Sequence, residues 1–202
     1  MRQEQRGLSG RAHEISFKSY LILYNIMKHA NFGYLIRTAN AFGVSEIIIV
    51  GKRAFDVGGA CGTSHSTRKR HFFTLGQACE YLRTKECFIC GVEITDDALR
   101  VDRHPFEGST AFMVGNEASG LTKEQISHCD HFVYVPQFGT GASLNVNVAA
   151  GIALHHFAVW ADFEENDRTA NKFLPSPNAA VREAKESFPD LQNPSRSPYS
   201  SP

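Results

Sequence analysis

The chain has 202 residues, 42% of them hydrophobic, with 21 basic and 21 acidic side chains and no formal net charge. That length buries one core, so one domain with tails is expected rather than two, and the charge balance excludes a global field for nucleic acid: any RNA surface is a local patch. No window approaches a membrane span, the opening MRQEQRGLSGR lacks the apolar core of a signal peptide, and five cysteines without framework spacing read as reduced thiols. The expectation is an intracellular protein, with the cytoplasm first and nucleus or organelle left open.

In chain order, SYLILYNIM (19–27) is a strand-like apolar run. NFGYLIRTANAFGV (31–44) carries helical spacing through Leu35, Ile36, Ala39 and Phe42, with Gly43 as the stop. EIIIV (46–50) is short and β-branched, hence a strand, and a glycine-rich, then basic loop follows, GGACGTSHSTRKR (58–70). LGQACEYLRTK (75–85) spells a helix, CFICGVEI (87–94) and TAFMVG (110–115) strands, LTKEQISHC (121–129) a helix and HFVYVPQ (131–137) a strand. A long last helix begins at about Ser143. Such alternation specifies an α/β fold, a parallel sheet with helices on both faces. Cys87 and Cys90 form a CxxC, but inside an apolar strand and without a second ligand pair, and the pairs His128/His131 and His155/His156 lack metal-ligand geometry; no metal is expected. The domain is placed at 15–165, after an N-terminal extension at 1–14. The tail, 166–202, is rich in serine and holds Pro175, Pro177, Pro189, Pro194, Pro198 and Pro202, although VREAKESF (181–188) leaves a short docking helix open.

Parallel sheets bind ligands at the carboxyl ends of their strands. Three strand ends lead into unusual segments: GNEASG (115–120), PQFGTGAS (136–143), and the helix bearing Asn31 and Arg37. Gly115, Gly139 and Gly141 permit close backbone approach to a planar ligand. Ser143 is a natural N-cap for the last helix, which accounts for Ser143 but not for Asn145 and Asn147 beside it. A Walker loop is absent, and GTGASL comes late and lacks the third glycine of a dinucleotide fingerprint.

Together three segments carry a resemblance. NFGYLIRTA (31–39), FMVGNEASGL (112–121) and VYVPQFGTGASLNVNVAAGIAL (133–154) resemble, in order and spacing, the three motifs of the SpoU/TrmH family of the SPOUT class of RNA methyltransferases. The match covers roughly residues 15–160. Asn147 departs from it, standing where serine is common, and no added N-terminal RNA-binding domain of the kind some members carry is visible.

The resemblance implies a C-terminal trefoil knot, a homodimer, and S-adenosylmethionine as cofactor, held by loops at 113–117, 134–139 and 142–145. The cofactor-binding residues implied are Val114, Gly115, Asn116, Val135, Pro136, Gly139, Ser143, Leu144 and Asn145. The reaction implied is methylation of a ribose 2′-hydroxyl in tRNA or rRNA. The catalytic set carried over is Arg37, Asn31, Glu117, Ser143 and Asn145. A ribose hydroxyl is a poor nucleophile near neutral pH, so the site must orient it and ease its proton away. Arginine is a poor free base, with a pKa above about 12, but binds a phosphate bidentately and so positions the hydroxyl beside it. Arg68, Lys69 and Arg70 form the best local basic patch for RNA phosphates. Two other classes stay open: a knotted RNA-binding protein without activity, and a relative methylating a base. The intact catalytic set favours the ribose enzyme.

Overall fold

Apolar runs without polar alternation belong in strands covered on both faces. SYLIL and EIIIV accordingly become β1 (Ser19–Leu23) and β2 (Glu46–Val50), buried along their whole length. The computed structural model describes residues 16–26, 29–51, 67–116, 118–141 and 143–165. The N-terminal extension, Glu117, most of the loop at 58–70 and the tail from 166 onward, with its 181–188 segment, lie outside the described residues.

Between β1 and β2 runs α1 (His29–Ala41). After them come β3 (Lys69–Phe72), α2 (Leu75–Arg83), β4 (Phe88–Val92), β5 (Leu99–Arg100), a 3-10 turn (Val101–Arg103), β6 (Thr110–Val114), α3 (Lys123–His128), β7 (His131–Tyr134) and α4 (Val146–Trp160). The strands form one seven-stranded sheet in the order β3-β2-β1-β6-β4-β7-β5, parallel at every pairing. Successive side chains alternate between two cores. Leu21 and Leu23 pack with Leu35, Ile36, Leu154 and Phe157 of α1 and α4, while Tyr20 and Ile22 pack with Leu75, Ala78 and Leu82 of α2. Thr74 with Gln77 and Thr122 with Gln125 form capping boxes that fix where α2 and α3 start.

Two strands escape the sequence pattern. β3 reads KRHF, three basic residues that look like loop, and β5 is only two residues long. β3 is an edge strand, where charge is tolerated and discourages stray pairing. Arg70 donates through Nε to Glu46 Oε1 at 3.0 Å, and Tyr81 donates through its hydroxyl to Glu46 Oε2 at 2.7 Å.

The last helix also starts later than expected. Its N-cap is Asn145, whose side chain accepts from the Asn147 N–H, so Ser143 is not the cap. Nor is α4 covered all round within one chain: Ala150, Ala153, Leu154 and Phe157 are buried, but Val148 is 45% and Val159 56% exposed. Burial pushes the Cys87 thiol up to about 12 and the Cys90 thiol well above its ordinary value, so neither is a ready thiolate. Among the described residues no cluster of His, Cys, Asp or Glu could hold a metal ion, and no helix is long and apolar enough to cross a membrane.

Candidate active site

Because every strand runs the same way, the loops after β4, β6 and β7 converge at one end of the sheet. They enclose a cavity of about 380 Å3. Its walls are Val92, Glu93 and Ile94 after β4, Val114 to Asn116 with Ala118 and Gly120 after β6, and Tyr134, Val135 and Gln137 after β7. Ser143, Leu144, Asn145, Val146 and Ala149 close it from the approach to α4 and its first turn.

The loop after β6 is a tight backbone cradle. Asn116 and Gly120 exchange main-chain hydrogen bonds at 2.9 Å in both directions. A Cβ on Gly115 would strike the backbone of Gly120 and Leu121, and one on Gly120, where φ is +66°, would strike the Glu93 carboxylate. The Asn116 side chain fastens the loop through three hydrogen bonds. Its Oδ1 accepts from the Ala118 N–H at 2.9 Å and the Ser119 N–H at 3.3 Å, and its Nδ2 donates to the Asn25 carbonyl beyond β1 at 3.0 Å. Gln125, fully buried on α3, donates to the Val114 carbonyl at the end of β6 at 3.2 Å.

A second set of contacts ties α1 to α4. Asn145 Nδ2 donates to Asn31 Oδ1 at 3.3 Å, and Asn31 is 6% exposed. Thr38 donates its hydroxyl hydrogen to Asn147 Oδ1 at 2.8 Å. Asn147, the departure from the motif, thus has a partner of its own on α1. Arg37 precedes Thr38 on α1, is exposed, and is not among the residues lining the cavity.

Of the expected cofactor residues, Val114, Gly115, Asn116, Val135, Ser143, Leu144 and Asn145 meet at the cavity, whereas Pro136 and Gly139 do not line it. Of the catalytic set, Asn31 and Asn145 touch and Ser143 faces the cavity, while Glu117 lies outside the described residues. The basic trio is elsewhere, Lys69 and Arg70 on the edge strand and Arg68 just before it. Lys69 is level with Ile47, near the amino end of β2, whereas the cavity opens at the carboxyl ends of β4, β6 and β7. Lys69 donates to the Thr67 carbonyl at 3.2 Å, and burial holds its ammonium below the usual pKa. Arg70 is engaged by Glu46, and Arg68 lies 3.9 Å from the same carboxylate. Sequence reasoning missed the wall after β4. Position alone pointed to it, since Glu93 stands next to last in the run CFICGVEI, just past the end of β4, and an acid there looks like an ordinary solvated strand terminus.

Known proteins share this family's sequence pattern and this fold. The model of the SpoU rRNA Methylase family matches residues 18–155. A 23S rRNA (guanosine-2'-O-)-methyltransferase, RlmB, of Coxiella burnetii is 31% identical over 140 residues, 67% of this chain and 56% of that protein. A tRNA (guanosine(18)-2'-O)-methyltransferase of Escherichia coli is 29% identical over 133 residues, 64% of this chain and 58% of its own length. The chain therefore spans a little over half the length of these relatives. Among solved structures, the SpoU methyltransferase AviRb from Streptomyces viridochromogenes, in complex with the cofactor AdoMet, superposes with a TM-score of 0.64 at 24% identity. That superposition covers 72% of this chain and 60% of AviRb, and it is a likeness of fold.

Proposed function

The chain belongs to the SpoU rRNA methylase family, and on that premise we propose that it methylates a ribose 2′-hydroxyl of a tRNA or rRNA with S-adenosylmethionine as donor. The observation that carries the reading is the cavity at the ends of β4, β6 and β7, walled by the segments that bear the second and third motifs. Its volume of about 380 Å3 is of the size that small-molecule sites have, roughly 300–1,000 Å3. The Gly115–Gly120 turn closes on itself so tightly that a Cβ at Gly115 would strike its backbone, and it brings main-chain groups to the cavity wall where a flat ligand can be gripped. S-adenosylmethionine, when bound, supplies a methyl group activated by a sulfonium. Val114, Gly115, Asn116, Val135, Ser143, Leu144 and Asn145 would hold it.

The protein's own work is then positioning. Asn145 caps α4 and, through Asn31, fixes α1 relative to the cavity. Arg37, exposed on α1, binds an RNA phosphate and presents the adjoining ribose hydroxyl to the cavity. Within the basic trio, Arg68 is the phosphate contact in this reading, because Arg70 is committed to Glu46 and Lys69 to the Thr67 carbonyl. The family also implies that the segment between β7 and α4 is part of a trefoil knot. A second copy of the chain covers the groove between α1 and α4, where Phe42, Val148, Gly151 and Ile152 leave apolar surface beside His155.

The test is the identity of the acceptor atom. An RNA that accepts methyl must become inert when the target nucleotide alone is made 2′-deoxy, since the swap removes the nucleophile and spares base edges and phosphates. Methylated RNA must also resist alkaline cleavage at that nucleotide. Comparable incorporation into the deoxy substrate overturns the ribose assignment in favour of a base.

A further inference from the structure

We propose that Glu93 binds the ribose of the cofactor, its carboxylate accepting hydrogen bonds from the vicinal 2′- and 3′-hydroxyls. The inference rests on the reading of the cavity as the S-adenosylmethionine site.

Glu93 is the only charged side chain among the described residues that line the cavity; the rest of the wall is apolar, glycine or neutral polar. Among the described residues no lysine, arginine or histidine forms an ion pair with it. Its place is nonetheless fixed from three directions. Its own N–H donates to the Val133 carbonyl on β7 at 3.0 Å. Its Oε1 accepts from the Ile94 N–H and its Oε2 from the Leu121 N–H, each at 3.0 Å. Gly120 has no side chain and a left-handed backbone, and a Cβ there would displace the carboxylate. Glycine at this position leaves the carboxylate where it stands against the cradle.

Two main-chain donors do not exhaust a carboxylate. It offers about four lone-pair sites and no donor, so each oxygen retains one acceptor position beside the cavity. An acceptor pair held rigidly on both oxygens matches two adjacent hydroxyls, one to each oxygen. Acidic side chains at the ends of parallel strands take ribose hydroxyls in the same way in dinucleotide sites. The methionine ammonium is the cofactor's other strong donor and a charged one, but it is a single group on a rotatable stem, whereas two fixed oxygens match the fixed spacing of the diol.

Calorimetric titration tests this without turnover. Wild type and Glu93→Gln are each titrated with S-adenosylhomocysteine, its 2′,3′-dideoxy form, and 5′-methylthioadenosine, which keeps the diol and lacks the ammonium. Hydrogen bonds to a charged group predict that Glu93→Gln weakens S-adenosylhomocysteine and methylthioadenosine alike, roughly 10- to 100-fold. The dideoxy form, already weakened by a similar factor in wild type, should lose little more. Equal loss for the dideoxy form makes Glu93 an anchor of the 115–121 turn and overturns the proposal. An unchanged affinity for methylthioadenosine assigns the carboxylate to the ammonium and overturns it as well. Wild type alone keeps the test sharp should the variant fold poorly, because equal binding of parent and dideoxy ligands refutes a diol contact. Binding of none of the three ligands by wild type refutes the reading of the cavity itself.

Discussion

Gly120 shows how much of the site one missing methyl group holds open. Its φ of +66° and the carboxylate against its absent Cβ both oppose a side chain. Gly120→Ala should cost roughly 1–3 kcal/mol and weaken S-adenosylmethionine binding at least tenfold, read by calorimetry and urea unfolding; unchanged binding would remove the cradle from the site. Arg37→Ala should separate the two sides of the reaction. The arginine does not line the cavity, so cofactor affinity should stay within a few-fold while methyl transfer to RNA is largely lost. Unchanged turnover would leave Arg37 a surface residue. His131 adds a pH dependence. Its Nε2 is buried without a hydrogen-bond partner, and burial holds its pKa below the usual value, against the raising influence of Asp130 and Glu107. As pH falls through about 6.5 the unfolded chain takes up the proton first, so stability is lost on acidification and is intact above that pH. His131→Phe should flatten, though not abolish, the loss between pH 7 and 5, because His156 is shifted in the same direction. At this scale Gly115, Asn116, Ser143 and Asn145 were named from the motifs that resemble the family's, and the fold brings all four to one cavity. Glu93 was not, because an acid at the end of an apolar run looks like an ordinary solvated terminus until the fold brings Leu121 to it.

The elements that read correctly are those whose environment is uniform. β1, β2 and β6 are buried at every position, and after a polar first residue (Ser19, Glu46, Thr110) each runs through four consecutive residues that are apolar or aromatic, which permits little else. β3 and β5 are settled by neighbours instead: KRHF becomes a strand because β2 offers it a partner from Ile47 to Val50, and Leu99–Arg100 because β7 does. The start of α4 turned on a competition between caps. Ser143 and Asn145 both have suitable side chains, and Asn145 prevails because it caps the Asn147 N–H and reaches Asn31 as well. The same helix carries a prediction about assembly. Ala153 is fully buried inside the chain, so a charge there tests packing rather than pairing. Val148, 45% exposed on the groove with α1, is the informative position. Val148→Glu should shift micromolar protein from dimer to monomer in sedimentation, lower the melting temperature by no more than the lost association accounts for, and leave the subunit cooperatively folded. A wild type that sediments as a monomer would refute the dimer outright.

On the scale of the whole molecule, the parallel sheet separates chemistry from anchorage. The cavity occupies one end, while Glu46, Arg70 and Tyr81 lock the far edge strand through hydrogen bonds and the guanidinium over the Tyr81 ring at 4.6 Å. What closes the domain is a clasp of aromatics at its two chain ends. Phe17 stacks on Trp160 with ring centroids 5.0 Å apart, Trp160 meets Phe106 at 5.6 Å, and Phe163 meets Phe157 at 5.9 Å. None of this was legible from motif spacing, since the motifs end before the clasp is complete. It bears on the proposed domain, 15–165, through a prediction about where the chain can be cut. A protein trimmed to 15–165 keeps both cores, the cradle and the clasp, and should bind S-adenosylmethionine within a few-fold of the full chain with the same unfolding midpoint. A protein trimmed to 18–155, the span of the family match, loses Phe17, Phe157, Trp160 and Phe163 together. Phe157 is fully buried against Phe112, and deleting a single core Phe or Trp side chain costs roughly 3–5 kcal/mol. Against a typical domain stability of about 5–15 kcal/mol, the shorter protein should fail to unfold cooperatively in urea although every motif residue is still present. If 15–165 fails to bind the cofactor, the domain extends into the tail and the boundary at Glu165 is wrong. If 18–155 melts like the longer form, the clasp is ornament and the cores alone hold the site.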